Sequence, residues 1–179
     1  SEEKGKERKG RLTEFSKDNE YINLFFAENT FEVDFLMNGN SFEYVHTLDK
    51  IYKRDADKNK AKEKLETNSV EVAGAEVLRI ADKQGKGWLA LLVAEQLVYN
   101  TYIPKYILQA IAWASSHINT SSKIKAISFR LKAIKGNNED KMFEVACKFK
   151  MRGKGEEEII KTFLESFPND QLTQFLNYL

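Results

Sequence analysis

Apolar positions recur along this chain in two periods, and together they predict a mixed molecule of strands and helices. Tyr21 to Phe26 is rich in aromatic and β-forming residues and predicts a strand. Just after it, Phe31, Val33 and Phe35 alternate with the acids Glu32 and Asp34. Phe42, Val45, Leu48 and Tyr52 then take helical spacing, flanked by Tyr44 and Ile51. Val72, Ala75, Val77, Leu78 and Ala81 form the apolar set of a second helix over 71–81. Gly85-Lys86-Gly87 breaks it, and Trp88 to Tyr99 is nearly continuous apolar sequence, as a buried helix would be. Trp88 and Trp113 fall on apolar helix faces and are expected in the core. Pro104 suits the first turn of the next helix, where a missing N–H costs nothing; that helix runs to about Ser115.

The pattern changes after the Ser/Thr-rich stretch 115–122, a candidate boundary. Ile127, Phe129 and Leu131 alternate with polar or small neighbours, as do Phe143, Val145, Cys147, Phe149 and Met151. Both predict half-buried strands, joined through Gly136-Asn137-Asn138. Glu156 to Phe167 is an amphipathic helix with acids in its first turn, which suits the helix dipole. Pro168-Asn169-Asp170 opens a last helix carrying Leu172, Phe175, Leu176 and Leu179. Three parts result: a charged linker or surface segment at 1–20, a strand with several helices at 21–118, and a small β-β-α-α appendage at 119–179.

Composition alters this picture little. With 28 basic and 27 acidic residues the formal charge is +1, which excludes a strongly polyanion-seeking protein overall but leaves local patches open. One cysteine, Cys147, cannot form an internal disulfide, so a reducing compartment is expected. No apolar run approaches the roughly 20 residues that span a bilayer, and the charged N-terminus has no signal-peptide core. A cytoplasmic protein is the expectation. Residues 1–10 lack both Met and any apolar side chain and read as a solvated linker cut from a longer chain. Lys53 to Asn68 is almost wholly polar, a solvated helix or a loop.

The candidate chemistry lies in two segments. The apolar run Leu24-Phe25-Phe26 delivers Glu28, Glu32 and Asp34 in quick succession, and acids clustered at a strand end commonly hold a divalent metal. Gly85-Lys86-Gly87 sets a cation between glycines at the mouth of an apolar helix. Each has a plainer reading: a Glu-x-Asp pair is often a surface edge or a helix cap, and glycines beside a helix start are ordinary loop chemistry. The spacing is not that of a Walker phosphate-binding loop. Neither His46 nor His117 belongs to a metal-binding cluster.

Taken in order, Thr30-Phe31-Glu32-Val33-Asp34, then Lys86-Gly87-Trp88-Leu89-Ala90 through Ala94, then Ile103-Pro104-Lys105 through Ile111, resemble the later half of the Toprim nuclease domain. The likeness is to the overcoming-lysogenization-defect family of ATP-dependent endonucleases and covers roughly residues 20–115. It implies an α/β fold, the C-terminal half of a Toprim-like domain followed by a small α+β appendage. It also implies phosphodiester hydrolysis assisted by Mg²⁺ or Mn²⁺, in phage defence or DNA repair. Glu32 becomes a metal ligand and catalytic residue, Asp34 and Glu28 further metal ligands, and Lys86 the catalytic cation facing the phosphate. The implied partners are DNA, an upstream ATPase and Toprim segment or companion chain, and a second copy of the chain. ATP enters only through that ATPase domain, outside this chain.

The family's earlier glutamate and its Asp-x-Asp strand end have no counterpart here. Asp55-Ala56-Asp57 lies in a charged run with no strand before it. The resemblance therefore implies a chain inactive without the missing half. Two other readings stand beside it. One is a non-catalytic module that docks a partner subunit through its apolar helices and the appendage. The other is nucleic-acid binding without cleavage, through Lys53–Lys64 and Lys123–Lys135.

Overall fold

A computed structural model describes residues 2–134 and 155–179, with side chains from residue 5 onward. Among the described residues every regular element is a helix. This overturns the α/β expectation, and the reason is visible in each misjudged segment. Residues 22–26 form no regular element and follow a turn at Tyr21: the Ile22 N–H donates to the Asn19 carbonyl at 3.2 Å, and the Leu24 N–H to the Asn23 side chain at 2.8 Å. A strand needs a partner's backbone groups, and these amides are engaged locally instead. Phe31–Met37 forms helix α2, where the resemblance had implied a strand end, and Thr120–Ile134 forms helix α9, where short alternation had suggested a strand. Three residues at spacing two also contain an i, i+4 pair, which lies on one helix face. Phe31 and Phe35 stack at 5.6 Å, and Ile127 and Leu131 are both buried while Phe129 points outward. The strand expected over Phe143–Met151 and its turn at Gly136–Asn138 lie outside the described residues.

The chain divides into two compact units, Phe26–Pro104 and a second made of Ser1–Phe25 with Lys105–Leu179. The Phe26–Pro104 unit holds α2, then α3 (Ser41–Val45), α4 (Leu48–Ile51), α5 (Asp55–Leu65), α6 (Val70–Gln84) and α7 (Lys86–Ala94). The single helix expected over 42–52 breaks at His46–Thr47, where the Thr47 hydroxyl donates to the Tyr44 carbonyl at 2.7 Å. Helix α6 is the spine. Ser69 caps its start by accepting from the Val72 N–H at 3.2 Å, and Ala73, Val77, Ile80 and Ala81 face the core. Gly74 allows α2 to lie close: a Cβ there would stand 3.3 Å from Val33 Cγ1. Gly85, at φ 85°, turns the chain from α6 into α7, a left-handed conformation that favours glycine.

Buried Asn40 closes this unit. Its Nδ2 donates to the Phe35 carbonyl at 2.8 Å and the Tyr102 carbonyl at 2.7 Å, and its Oδ1 accepts from the Tyr102 N–H at 2.8 Å. Nearby, the buried Glu43 carboxylate accepts from the Thr101 hydroxyl. The 99–104 segment is thus fastened by side chains rather than by a helix.

The second unit comprises α1 (Glu2–Ser16), α8 (Lys105–Ala114), α9, α10 (Glu156–Ser166) and α11 (Gln171–Tyr178). Phe163 and Ile127 are fully buried where α9 meets α10. Asp170 accepts from the Leu172 N–H at 2.9 Å to cap α11 and from Arg130 Nε at the same distance, tying the cap to α9. Trp88 and Trp113, expected in the core, are 57% and 40% exposed. No helix among the described residues is long and apolar enough to cross a membrane.

Candidate functional site

Glu32 occupies the first turn of α2 and Lys86 the first position of α7, where the Gly85 turn sends the chain back toward α2. Their side chains meet with Lys86 Nζ 3.4 Å from Glu32 Oε1. The carboxylate is 15% exposed and the lysine 58%, so the acid is held in place while the cation reaches in from solvent. Burial pushes the Glu32 carboxyl up. Hydrogen bonds from its own backbone amide and from Thr30, with the Lys86 charge, outweigh that and leave it below the usual glutamate value.

Behind the pair lies an apolar pocket of 230 Å³ between α2 and α7, walled by Phe31, Phe35, Tyr44, Leu89 and Val93. The Tyr44 hydroxyl donates to the Glu32 carbonyl at 3.1 Å, and its ring meets Phe35 edge-on at 6.0 Å. Burial, and secondarily the Glu32 charge, push that phenol above its ordinary value, so it stays a neutral donor. Sequence reasoning missed Tyr44 as a member of this site; it stood beside the helical stripe of 42–52 without chemical partners in the sequence.

The other two candidate ligands are placed differently. The Asp34 carboxylate accepts from the Glu28 N–H at 2.9 Å, from the Asn29 N–H at 3.0 Å and from Asn29 Nδ2 at 3.0 Å. It shapes the turn that leads into α2, as a loop-organising acid does. Glu28 enters this arrangement through its backbone, and its side chain is exposed. The structure therefore brings Glu32 and Lys86 together and leaves Asp34 and Glu28 on the loop side. Among the described residues no group of three or more His, Cys, Asp or Glu side chains is arranged to hold a metal ion. Glu32 and Asp34 do not suffice for Mg²⁺ or Mn²⁺, which demands several oxygen ligands around one point.

A second polar region was not foreseen. Glu76 lies within the buried stripe of α6, with its side chain 2% exposed. Arg79 Nε donates to Glu76 Oε2 at 3.1 Å and its Nη2 engages Oε1, while Lys64 from α5 reaches Oε2 at 3.1 Å. The Arg79 guanidinium holds the carboxyl below its ordinary value against the cost of burial, and Lys64 adds to the effect. The signal was present in the sequence: a charged residue at the helical register of Ala73, Val77 and Ile80. A scan against models of protein families, a search of curated proteins and a search of solved structures each found no match to this chain.

Proposed function

We propose that this chain contributes Glu32 and Lys86 to a DNA endonuclease of the overcoming-lysogenization-defect type, acting in phage defence or DNA repair. The observation that carries the reading is the meeting of these two side chains, drawn from separate motifs, at the mouth of one pocket. A half-exposed lysine paired with a mostly buried carboxylate can exchange that partner for a phosphate oxygen. The exchange would leave Lys86 stabilising charge on the phosphate and free the Glu32 oxygens for another cation. Mg²⁺ or Mn²⁺ bound there would need further oxygen ligands, which this reading assigns to the companion nuclease segment. An ATPase and nuclease segment, DNA and a second copy of the chain are the partners this reading requires. A Toprim-like α/β fold is no part of it.

The apolar pocket favours a second reading, in which the Phe26–Pro104 unit docks a partner subunit and cuts nothing. Nicking of supercoiled plasmid by the full natural protein in Mg²⁺ or Mn²⁺ separates the two. The nuclease reading expects cleavage that falls at least a hundredfold in both Glu32→Ala and Lys86→Ala, with unchanged circular dichroism. Full activity in both variants overturns it, and absence of cleavage by the unmutated protein leaves the docking reading.

A further inference from the structure

Between α5 and α6 of the Phe26–Pro104 unit lies a polar cleft of 380 Å³, distinct from the Glu32–Lys86 pocket. The geometry points to this cleft as a binding site for phosphoryl groups, taken from a nucleic-acid backbone or from a free polyphosphate. Four cations line it, Lys60 and Lys64 from α5 with Arg79 and Lys83 from α6, against two acids, Glu76 and Asp57. The balance is two positive charges in one cleft, in a chain whose whole formal charge is +1.

The arrangement exceeds what Glu76 needs. Lys64 and Arg79 already occupy both of its oxygens. Lys60 and Lys83 have no carboxylate partner among the described residues, although Asp57 stands on the same rim and opposes an incoming anion. Part of the cleft's charge is also preorganised. Buried Glu76 fixes the Arg79 fork, whose Nη2 donates to the Tyr52 hydroxyl at 2.6 Å. Lys83 Nζ lies 5.6 Å from the centre of the Tyr52 ring, a cation–π arrangement. With Nε and Nη2 committed to Glu76 and Tyr52, Arg79 offers Nη1 beside several ammonium groups, which suits a phosphate oxygen, and fixing the guanidinium beforehand lowers the ordering cost of binding. Glu76 and Tyr52 are positioning residues; Lys60, Lys83 and the free faces of Lys64 and Arg79 would touch the ligand. None of these residues belongs to the Glu32–Lys86 pair, so the inference stands if the nuclease reading falls.

The test uses the full chain with two probes at 50 mM salt: a fluorescein-labelled single-stranded DNA 20-mer followed by anisotropy, and pyrophosphate followed by calorimetry. Both lysines are exposed, so Lys60→Ala/Lys83→Ala leaves the fold intact, and Lys125→Ala/Lys132→Ala on α9 removes the same charge elsewhere. At least a tenfold loss of binding in the cleft variant, with less than a twofold loss in the control, is the expected result. For single-stranded DNA the loss of two phosphate contacts should also lower the slope of log K against log salt by about 1.4. DNA bound and undisplaced by pyrophosphate assigns the site to a nucleic-acid backbone; pyrophosphate bound without DNA assigns it to a free phosphoryl ligand. Equal losses in the two double variants, or no binding of either probe, overturn the proposal.

Discussion

Glu32 and Glu76 stand on helices of the same unit with their oxygens turned toward cations, yet their surroundings differ. Glu32 faces one lysine that is more than half exposed, and the space behind the pair is apolar. Glu76 is held by a guanidinium and an ammonium at once, and the space before it is polar and cationic. A single solvated lysine contributes little to holding an acid, because water and salt compete for it. An acid bonded on both oxygens in a nearly dry position is fixed. The first region is therefore suited to exchanging partners, and the second to holding its cations still for something else. The lesson is that ion pairs of similar appearance differ in use according to how many cations meet the buried carboxylate.

The largest expected effect lies in the pocket walls. Leu89 is 2% exposed beneath the Glu32–Lys86 pair, and Leu89→Ala should cost about 3 kcal/mol in urea unfolding through lost burial and the cavity left behind. Leu91→Ala, two residues along the same helix and 61% exposed, should stay within about 0.5 kcal/mol. Next comes Glu76→Ala, expected to cost about 2 kcal/mol by the same assay, since it strips both α5 and α6 of their shared acceptor. Its two cations are partly exposed and can find water, which keeps the cost below that of a fully buried pair.

Acid sharpens the contrast. The Glu76 carboxyl lies below its ordinary value of 4.5 in the folded chain, because Arg79 and Lys64 favour the charged form. The native state therefore binds fewer protons than the unfolded one in this range. Its contribution is complete above about pH 5 and is lost as pH falls through the lowered folded value. The stability gap between the natural chain and Glu76→Gln should accordingly shrink between pH 6 and pH 3 in urea titrations. The smallest effect is Lys86→Ala, expected below about 0.5 kcal/mol in the same melts, because the lysine is solvated and screened. A cost as large as that of Glu76→Ala would erase the distinction between the two regions.

The helices with long or strongly amphipathic patterns were legible from the sequence. Residues 71–81, Pro104 to Ser115, Glu156 to Phe167 and the last turn-capped segment all form helices close to the expected bounds. Short alternating stretches were not legible, since Phe31–Phe35 and Ile127–Leu131 fit both periods and only packing decides between them. The run Trp88–Tyr99 misled in another way: its helix stops at Ala94, and Trp88 and Leu91 face outward. Of the candidate site, Glu32 and Lys86 could be picked from their motifs, but their meeting depends on the Gly85 turn and on α2 packing near α7. Asp34 looked like a ligand, yet its oxygens serve the amides of residues 28 and 29. That use follows from loop geometry, which an acid's place in the sequence does not disclose.

Asn40 carries a consequence for how this unit can be divided. Its amide grips both the N–H and the carbonyl of Tyr102, far along the chain, and it is only 1% exposed. A fragment ending at Val98 would keep all of α2 to α7 and still strand a buried carboxamide with two of its three bonds gone. Desolvated polar atoms left in that state destabilise by about 1–3 kcal/mol each. A piece of this unit that keeps Asn40 fully bonded thus extends past its last helix to Tyr102.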